Sequence, residues 1–155
     1  MTVDAASALL ALLSACAPSI DPGTAIPLIK AESGGHPWAL GVNGGRVNPQ
    51  PATLEQAAAA ARVWISMGKT VDLGYAQINN RTAARLGLTV EQVLEPCVNL
   101  RAMERVLSEN YTSAVARFGH GQAALQAALS MYNTGHRSRG LANGYVDRVY
   151  GHATK

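Results

Sequence analysis

Apolar residues recur along this chain at helical spacing, bracketed by capping side chains and glycine stops, while the apolar–polar alternation of half-buried strands is nearly absent. Little is left from which to build a sheet, so the expected fold class is all-α or mainly α. Within the apolar stretch Ala5–Ala17, an amphipathic helix turns Val3, Ala6, Leu9, Leu10 and Leu13 toward a core. Asp21-Pro22 pairs a capping side chain with the early helical position that tolerates proline. Pro27, five residues on, forces either a kink or a true start near Thr24, and Gly34-Gly35 ends the segment. From Gly34 to Ala52 the chain is rich in Gly, Pro and Asn and reads as irregular surface. A capping box at Thr53–Gln56 then opens an alanine-rich helix through about Met67, stopped by Gly68. Short helices are expected over Arg81–Leu86 and over Val90–Glu95, the second opened by a Thr89-to-Gln92 box. A long helix follows from Val98 to Phe118 with Met103, Val106, Leu107 and Val115 on its apolar side, then Gln122–Asn133 and Tyr145–Tyr150.

With 155 residues, 48% hydrophobic and 15% charged, the chain can bury a core and is not of disordered composition. One domain, 1–155, is expected, with no internal repeat. No apolar run approaches the roughly 20 residues of a membrane-spanning helix. Thirteen Lys and Arg against ten Asp and Glu give +3, but the arginines are scattered, so no nucleic-acid partner is expected. Leu13-Ser14-Ala15-Cys16 looks like a lipoprotein cleavage box, yet no Lys or Arg precedes Lys30 and Asp4 stands where a leader wants positive charge. The amphipathic helix is therefore preferred, and no export signal is evident. Cys16 and Cys97 lack metal-ligand spacing and are either a disulfide or two buried thiols. A bridge would imply an oxidising compartment.

Ten carboxylates are available, and most fall at caps or on solvated faces. Glu32 differs. In the last turn of its helix it meets the negative end of the macrodipole, and apolar neighbours such as Ile29 add a desolvation cost. Both hold the proton on, as a general acid requires; the alternative is a solvated terminal residue. Gly74-Tyr75-Ala76-Gln77-Ile78-Asn79 sets a glycine beside an aromatic ring and two amides, and Met131-Tyr132-Asn133-Thr134-Gly135 repeats that kit. A ring to stack on and paired donors and acceptors suit sugar binding, although each stretch alone also reads as a turn or a helix end.

Glu32-Ser33-Gly34, Gly74–Asn79, Met131–Gly135 and Tyr145-Val146, in that order, resemble the four motifs of the lysozyme-like lytic transglycosylases. The closest branch is that of the small enzymes attached to type IV secretion and conjugation systems, and the similarity covers nearly the whole chain. The resemblance implies a lysozyme-like fold and cleavage of the MurNAc–GlcNAc β-1,4 bond of peptidoglycan with a 1,6-anhydro product. Glu32 would protonate the glycosidic oxygen and, as a carboxylate, deprotonate the sugar's own C6 hydroxyl. Ser33 would hydrogen-bond near the reacting sugar or orient Glu32. Gly74, Tyr75 and Ala76 would wall the groove, Gln77, Asn79 and Asn133 would line it, and Tyr132 and Tyr145 would stand near the glutamate.

The pattern departs from its relatives at Tyr75-Ala76, where many carry Leu-Met, and at Met131 and Thr134, where Ala is common. Asp72 reads as a solvated loop residue. His36, His120, His136 and His152 show no metal spacing, and no cofactor is expected. Trp64 reads as core, and Trp38 as either core or a sugar platform. Arg137 and Arg139 read as solvated arginines or as partners for peptide-stem carboxylates. The implied partners are a peptidoglycan strand and secretion or conjugation proteins, acting in the periplasm or cell envelope with the enzyme as a monomer; a phage setting is also compatible. A hydrolytic lysozyme and a non-catalytic peptidoglycan-binding assembly module are the competing functions.

Overall fold

A computed structural model describes residues Met1–Ala153. The chain divides into two compact units, Met1–Met103 and Glu104 onward, and the division falls inside one long helix.

The first unit opens with α1 (Val3–Cys16), capped by the Thr2 hydroxyl, which accepts from Ala5 N–H at 3.2 Å. Only Leu9, Leu13 and Cys16 are buried; Val3 is 83% exposed, Leu10 47%, and Ala6 is exposed too. The expected five-residue core face is thus too broad. A helix lying on one neighbour buries a narrow i, i+4, i+7 stripe, and the flanking apolar residues stay outside. Cys16 is disulfide-bonded to Cys97, 81 residues away, which settles the choice left open by the sequence.

α2 (Pro22–Ser33) starts at the first proline rather than near Thr24, because the Asp21 carboxylate accepts from Gly23 N–H at 2.7 Å and Pro22 sits at the helix start. Pro27 lies within the helix, buried, and forgoes only the single backbone bond its missing N–H would have made. Gly34, at φ +65°, closes the helix with its N–H on the Lys30 carbonyl.

Three short strands follow where irregular chain was expected. β1 (Leu40–Val42), β2 (Val71–Leu73) and β3 (Ile78–Asn79) form an antiparallel sheet in that order, with Gly41 opposite Asp72 and Asp72 opposite Asn79. Strands of two or three residues are too short to display alternation. Between β1 and β2 lies α3 (Leu54–Ser66). Its Thr53 cap forms, but Gln56 reaches back to Ala52 N–H rather than to Thr53, so the expected reciprocal box is half made. The box at Thr89 and Gln92 is complete and opens α5 (Val90–Leu94), which follows α4 (Asn80–Arg85). Trp64 is half-buried rather than core, its ring lying against Gly45, where a β-carbon would come within 2.8 Å of it. Leu28, Ile29, Val71, Leu73, Val93, Leu94, Leu100 and Met103 are fully buried.

α6 runs Pro96–Phe118, two residues earlier than expected since proline suits the first helical turn. In the second unit, α7 (Gln122–Thr134), α8 (Arg139–Ala142) and α9 (Tyr145–Ala153) complete the described residues. α8 was not anticipated, and α9 extends three residues past the expected end. Ala114, Ala124 and Ala127 pack together with Tyr111 and Val115 against them. Buried Ser130 donates to the His136 carbonyl at 2.5 Å and accepts from Gly140 N–H at 2.8 Å, tying α8 to α7. Among the described residues no helix is long and apolar enough to cross a membrane.

Candidate functional site

Glu32 lies half-buried in the last turn of α2, one residue before its end. Next to it, the Ser33 hydroxyl donates to the Tyr75 carbonyl at 2.7 Å, has the Ile29 carbonyl as a second acceptor at 3.1 Å, and accepts from Gly35 N–H at 3.2 Å. One side chain therefore fastens the helix end that carries Glu32 onto the Gly74–Asn79 segment, 42 residues away. The first two sequence motifs meet here.

Within that segment, Gly74–Gln77 is a tight turn between β2 and β3. Gly74 N–H bonds the Ala39 carbonyl at 2.9 Å, and Gln77 N–H bonds the Gly74 carbonyl at 3.1 Å. Gly74 adopts φ +79°, and a β-carbon there would fall 2.5 Å from the Asn99 amide nitrogen, so only glycine fits. Gln77 has φ +52° and is the one non-glycine residue with left-handed backbone among the described residues. That conformation costs about 1–2 kcal/mol. Its side chain offsets the cost by donating to Ala39 O at 2.9 Å and Gly74 O at 3.0 Å. Both amide hydrogens expected to face a glycan are thus committed to the turn, and the carboxamide oxygen lies over Gly41.

Beneath the turn is a residue that sequence reasoning missed. Asn99 on α6 is wholly buried; its amide donates to Leu73 O at 2.8 Å and Val93 O at 2.7 Å, while its oxygen accepts from Ala76 N–H at 2.9 Å. Ala76 is buried and Tyr75 half-buried, where desolvation raises the phenol's pKa. An Asn in the apolar run Cys97-Val98-Asn99-Leu100 was the available signal.

Asp72 sits within β2 rather than in a solvated loop. Burial raises its pKa, opposed by the bond it accepts from the Asn79 amide at 2.9 Å. Asn79 also caps α4 by accepting from Arg81 N–H at 3.0 Å, so both ends of this side chain serve the fold. Trp38 is half-buried with its ring edge-on to His36 at 6.4 Å, and its indole nitrogen is buried without a hydrogen-bond partner. A His36 ring nitrogen lies 2.9 Å from the Pro51 carbonyl.

In the second unit, Tyr132 is half-buried near the end of α7 and Asn133 is exposed. Asn143 links two of the expected site residues, donating to the Asn133 side chain at 2.9 Å and accepting from Tyr145 N–H at 2.9 Å. Tyr145 is buried at the start of α9, with the Arg148 guanidinium 5.9 Å from its ring centre. Among the described residues no group of three or more His, Cys, Asp and Glu is placed to hold a metal ion.

The transglycosylase SLT domain model matches residues 10–149. The chain belongs to the SLT family. SLT domains are lysozyme-like and mainly α, which agrees with the fold class expected here. Among its relatives, the type IV secretion system protein virB1 of Brucella abortus is 35% identical over 146 residues, covering 90% of this chain and 61% of its own. Protein virB1 of Rhizobium radiobacter is 37% identical over 136 residues, covering 86% and 56%. Protein virB1 of Agrobacterium fabrum is 33% identical over 134 residues, covering 86% and 54%. The chain thus spans little more than half the length of the curated relatives it matches. No solved structure matches it.

Proposed function

We propose that this chain is a peptidoglycan lytic transglycosylase in which Glu32 alone carries the proton transfers. The observation that carries the reading is the Ser33–Tyr75 bond, which fixes the Glu32 helix end against the Gly74–Gln77 turn. Glu32 donates its proton to the glycosidic oxygen as the bond from MurNAc C1 breaks. The resulting carboxylate takes the proton of the C6 hydroxyl as that oxygen bonds to C1, closing the 1,6-anhydro ring and regenerating the acid. Water takes no part, and a second nucleophilic carboxylate is not needed, unlike the usual two-carboxylate scheme.

The bonding of the neighbours supports the following roles. Ser33 is a positioning residue, as is Gln77, whose strained backbone and committed amide shape the turn rather than reach outward. Tyr75 and the backbone of Gly74 and Ala76 form the wall the glycan meets. Asn79 supports that wall through Asp72 and the α4 cap. Tyr132, Asn133 and Tyr145 contribute further glycan contacts, with the whole chain acting as one lysozyme-like domain and as a monomer. The Cys16–Cys97 bridge supports an extracytoplasmic compartment such as the periplasm. Relatives named as type IV secretion system proteins support a role in opening the wall locally for a secretion or conjugation apparatus.

Mass spectrometry of digested sacculi tests the reaction. Products lighter by one water than reducing muropeptides are expected from the wild type and none from Glu32→Gln. Reducing ends would make the enzyme a hydrolytic lysozyme. Intact activity in Glu32→Gln would remove Glu32 as the acid, and an inactive wild type that binds sacculi as well as Glu32→Gln would make the chain a binding module.

A further inference from the structure

The net charge of +3 is not spread evenly: Met1–Met103 holds seven Lys and Arg against seven Asp and Glu, while Glu104 onward holds six against three. All of the excess lies in the second unit. There, a cavity of about 200 Å³ is lined by Ser113, Arg117, Phe118, Met131, His136 and Arg137, with no carboxylate in its wall. Its volume equals that of about six or seven liquid waters, enough for a carboxylate and its adjoining carbons. Arg117 stacks its guanidinium over the Phe118 ring at 5.8 Å, which restrains the side chain before any ligand arrives. Neither Arg117 nor Arg137 is in a salt bridge among the described residues, whereas Glu109 of the same unit is paired with Arg105. His136 accepts from Ser138 N–H through Nδ1, which leaves its hydrogen on Nε2 as a third donor.

We propose that this cavity binds the carboxylates of peptidoglycan stem peptides, with Arg117 and Arg137 as the two guanidinium partners. Planar guanidinium forks match carboxylates in geometry as well as charge. Stem peptides hang from the MurNAc lactyl groups of a glycan strand and are acidic at neutral pH. The cavity shares Met131 and Gly135 with the third sequence motif, so the glycan contacts and the stem contacts arise from one short stretch of chain. Of the arginines singled out in the sequence, Arg137 lines the cavity and Arg139 does not; Arg117 joins it from α6. The proposal rests on the peptidoglycan reading above and adds where the enzyme recognises the peptide.

The test is titration of the full chain with the free peptide L-Ala-γ-D-Glu-meso-diaminopimelate, followed by NMR shifts, which needs no catalysis. Wild type is expected to bind it, the fully amidated peptide to bind at least about tenfold more weakly, and Arg117→Gln and Arg137→Gln each to lose about tenfold, as charge-assisted bonds imply. Arg137→Lys should recover part of the loss. In digestion, wild type is expected to prefer stem-bearing strands over amidase-stripped ones, and the double Gln variant to lose that preference. Equal binding of the amidated peptide, or equal binding of glutarate, overturns the proposal. So does a lower melting temperature in the Gln variants without weaker binding, which would assign both arginines to stabilising the fold. Peptide binding by a wild type that yields no anhydro product would sink the reaction and leave the pocket standing; normal cleavage without peptide binding would do the reverse.

Discussion

Replacing Asn99 by alanine strips three hydrogen bonds from a place that solvent does not reach. The Leu73 and Val93 carbonyls and the Ala76 N–H lose their partner together. Each buried orphan costs about 1–3 kcal/mol. A water entering the vacated volume needs two to four polar partners and would find three, which returns part of that loss. The net expectation is about 3–5 kcal/mol, a large share of the roughly 5–15 kcal/mol that holds a domain folded. At about 2–4 °C per kcal/mol for a chain of this size, the melting temperature should fall by about 10–15 °C. A second variant makes the argument specific. In Gly74→Ala the new methyl meets the Asn99 amide at 2.5 Å and the left-handed backbone is strained. With Asn99 already truncated that clash is gone and only the φ cost and the 3.2 Å approach to Pro37 O remain. The double variant should therefore be more stable than the sum of the singles by more than about 1 kcal/mol. Thermal and urea unfolding under non-reducing conditions measure both. A fall of under about 3 °C for Asn99→Ala, or additivity within about 0.5 kcal/mol, would refute the claim that this amide holds the turn.

Asp72 gives a pH signature. Burial raises its folded-state pKa, so its contribution to stability is full below the ordinary carboxylate value near ~3.9 and is lost as pH rises from there through the raised value; Asp72→Asn should flatten that decline, and identical denaturation profiles for both proteins between acid and neutral pH would contradict it. Reducing the Cys16–Cys97 bridge reopens a loop of 81 residues, worth about 4.5 kcal/mol in the chain-entropy model. Dithiothreitol should lower the melting temperature by about 10 °C or more, and a shift under about 3 °C would show that the bridge restrains little. Arg62 and Glu91 form a two-bonded ion pair between α3 and α5 with side chains 56% and 46% exposed. Arg62→Ala should move the melting temperature by no more than about 2 °C, the more so in high salt, and a larger drop would mean that the pair is far better shielded than its exposure implies.

Which parts of this molecule could be read from its sequence depends on how far along the chain each cause reaches. The Asp21 cap, the Thr89–Gln92 box and the Gly34 and Gly135 stops act over two to four residues, so the helices they bound were legible within a residue or two. Where two local solutions compete, the reading slips by a residue, as when Gln56 bonds Ala52 instead of Thr53. Periodicity on α1 identifies every residue that a neighbour could cover, but the neighbour covers only Leu9, Leu13 and Cys16. The sheet was invisible because its strands pair across 5 to 33 residues while each is too short to carry a pattern of its own.

The candidate site divides in the same way. Glu32 at a helix end and the glycine, ring and amides of the second motif were visible as local chemistry, and their order along the chain carried the resemblance. What joins them was not visible. The Ser33 bond to Tyr75 spans 42 residues, and Asn99 reaches 23 and 26 residues back to the turn. Gln77 illustrates the consequence. Its side chain looked outward on paper, whereas Gly74, three residues back, takes one of its amide hydrogens and Ala39, 38 residues away, takes the other. If the turn is shaped by these distant bonds, Gln77→Ala should weaken catalysis by deforming the wall rather than by removing a glycan contact. That distinction is measurable. Loss of a glycan contact would be confined to one bound sugar, whereas a deformed turn would speed hydrogen exchange at Ala76 N–H even without substrate, and unchanged exchange in an impaired Gln77→Ala would return Gln77 to direct substrate binding.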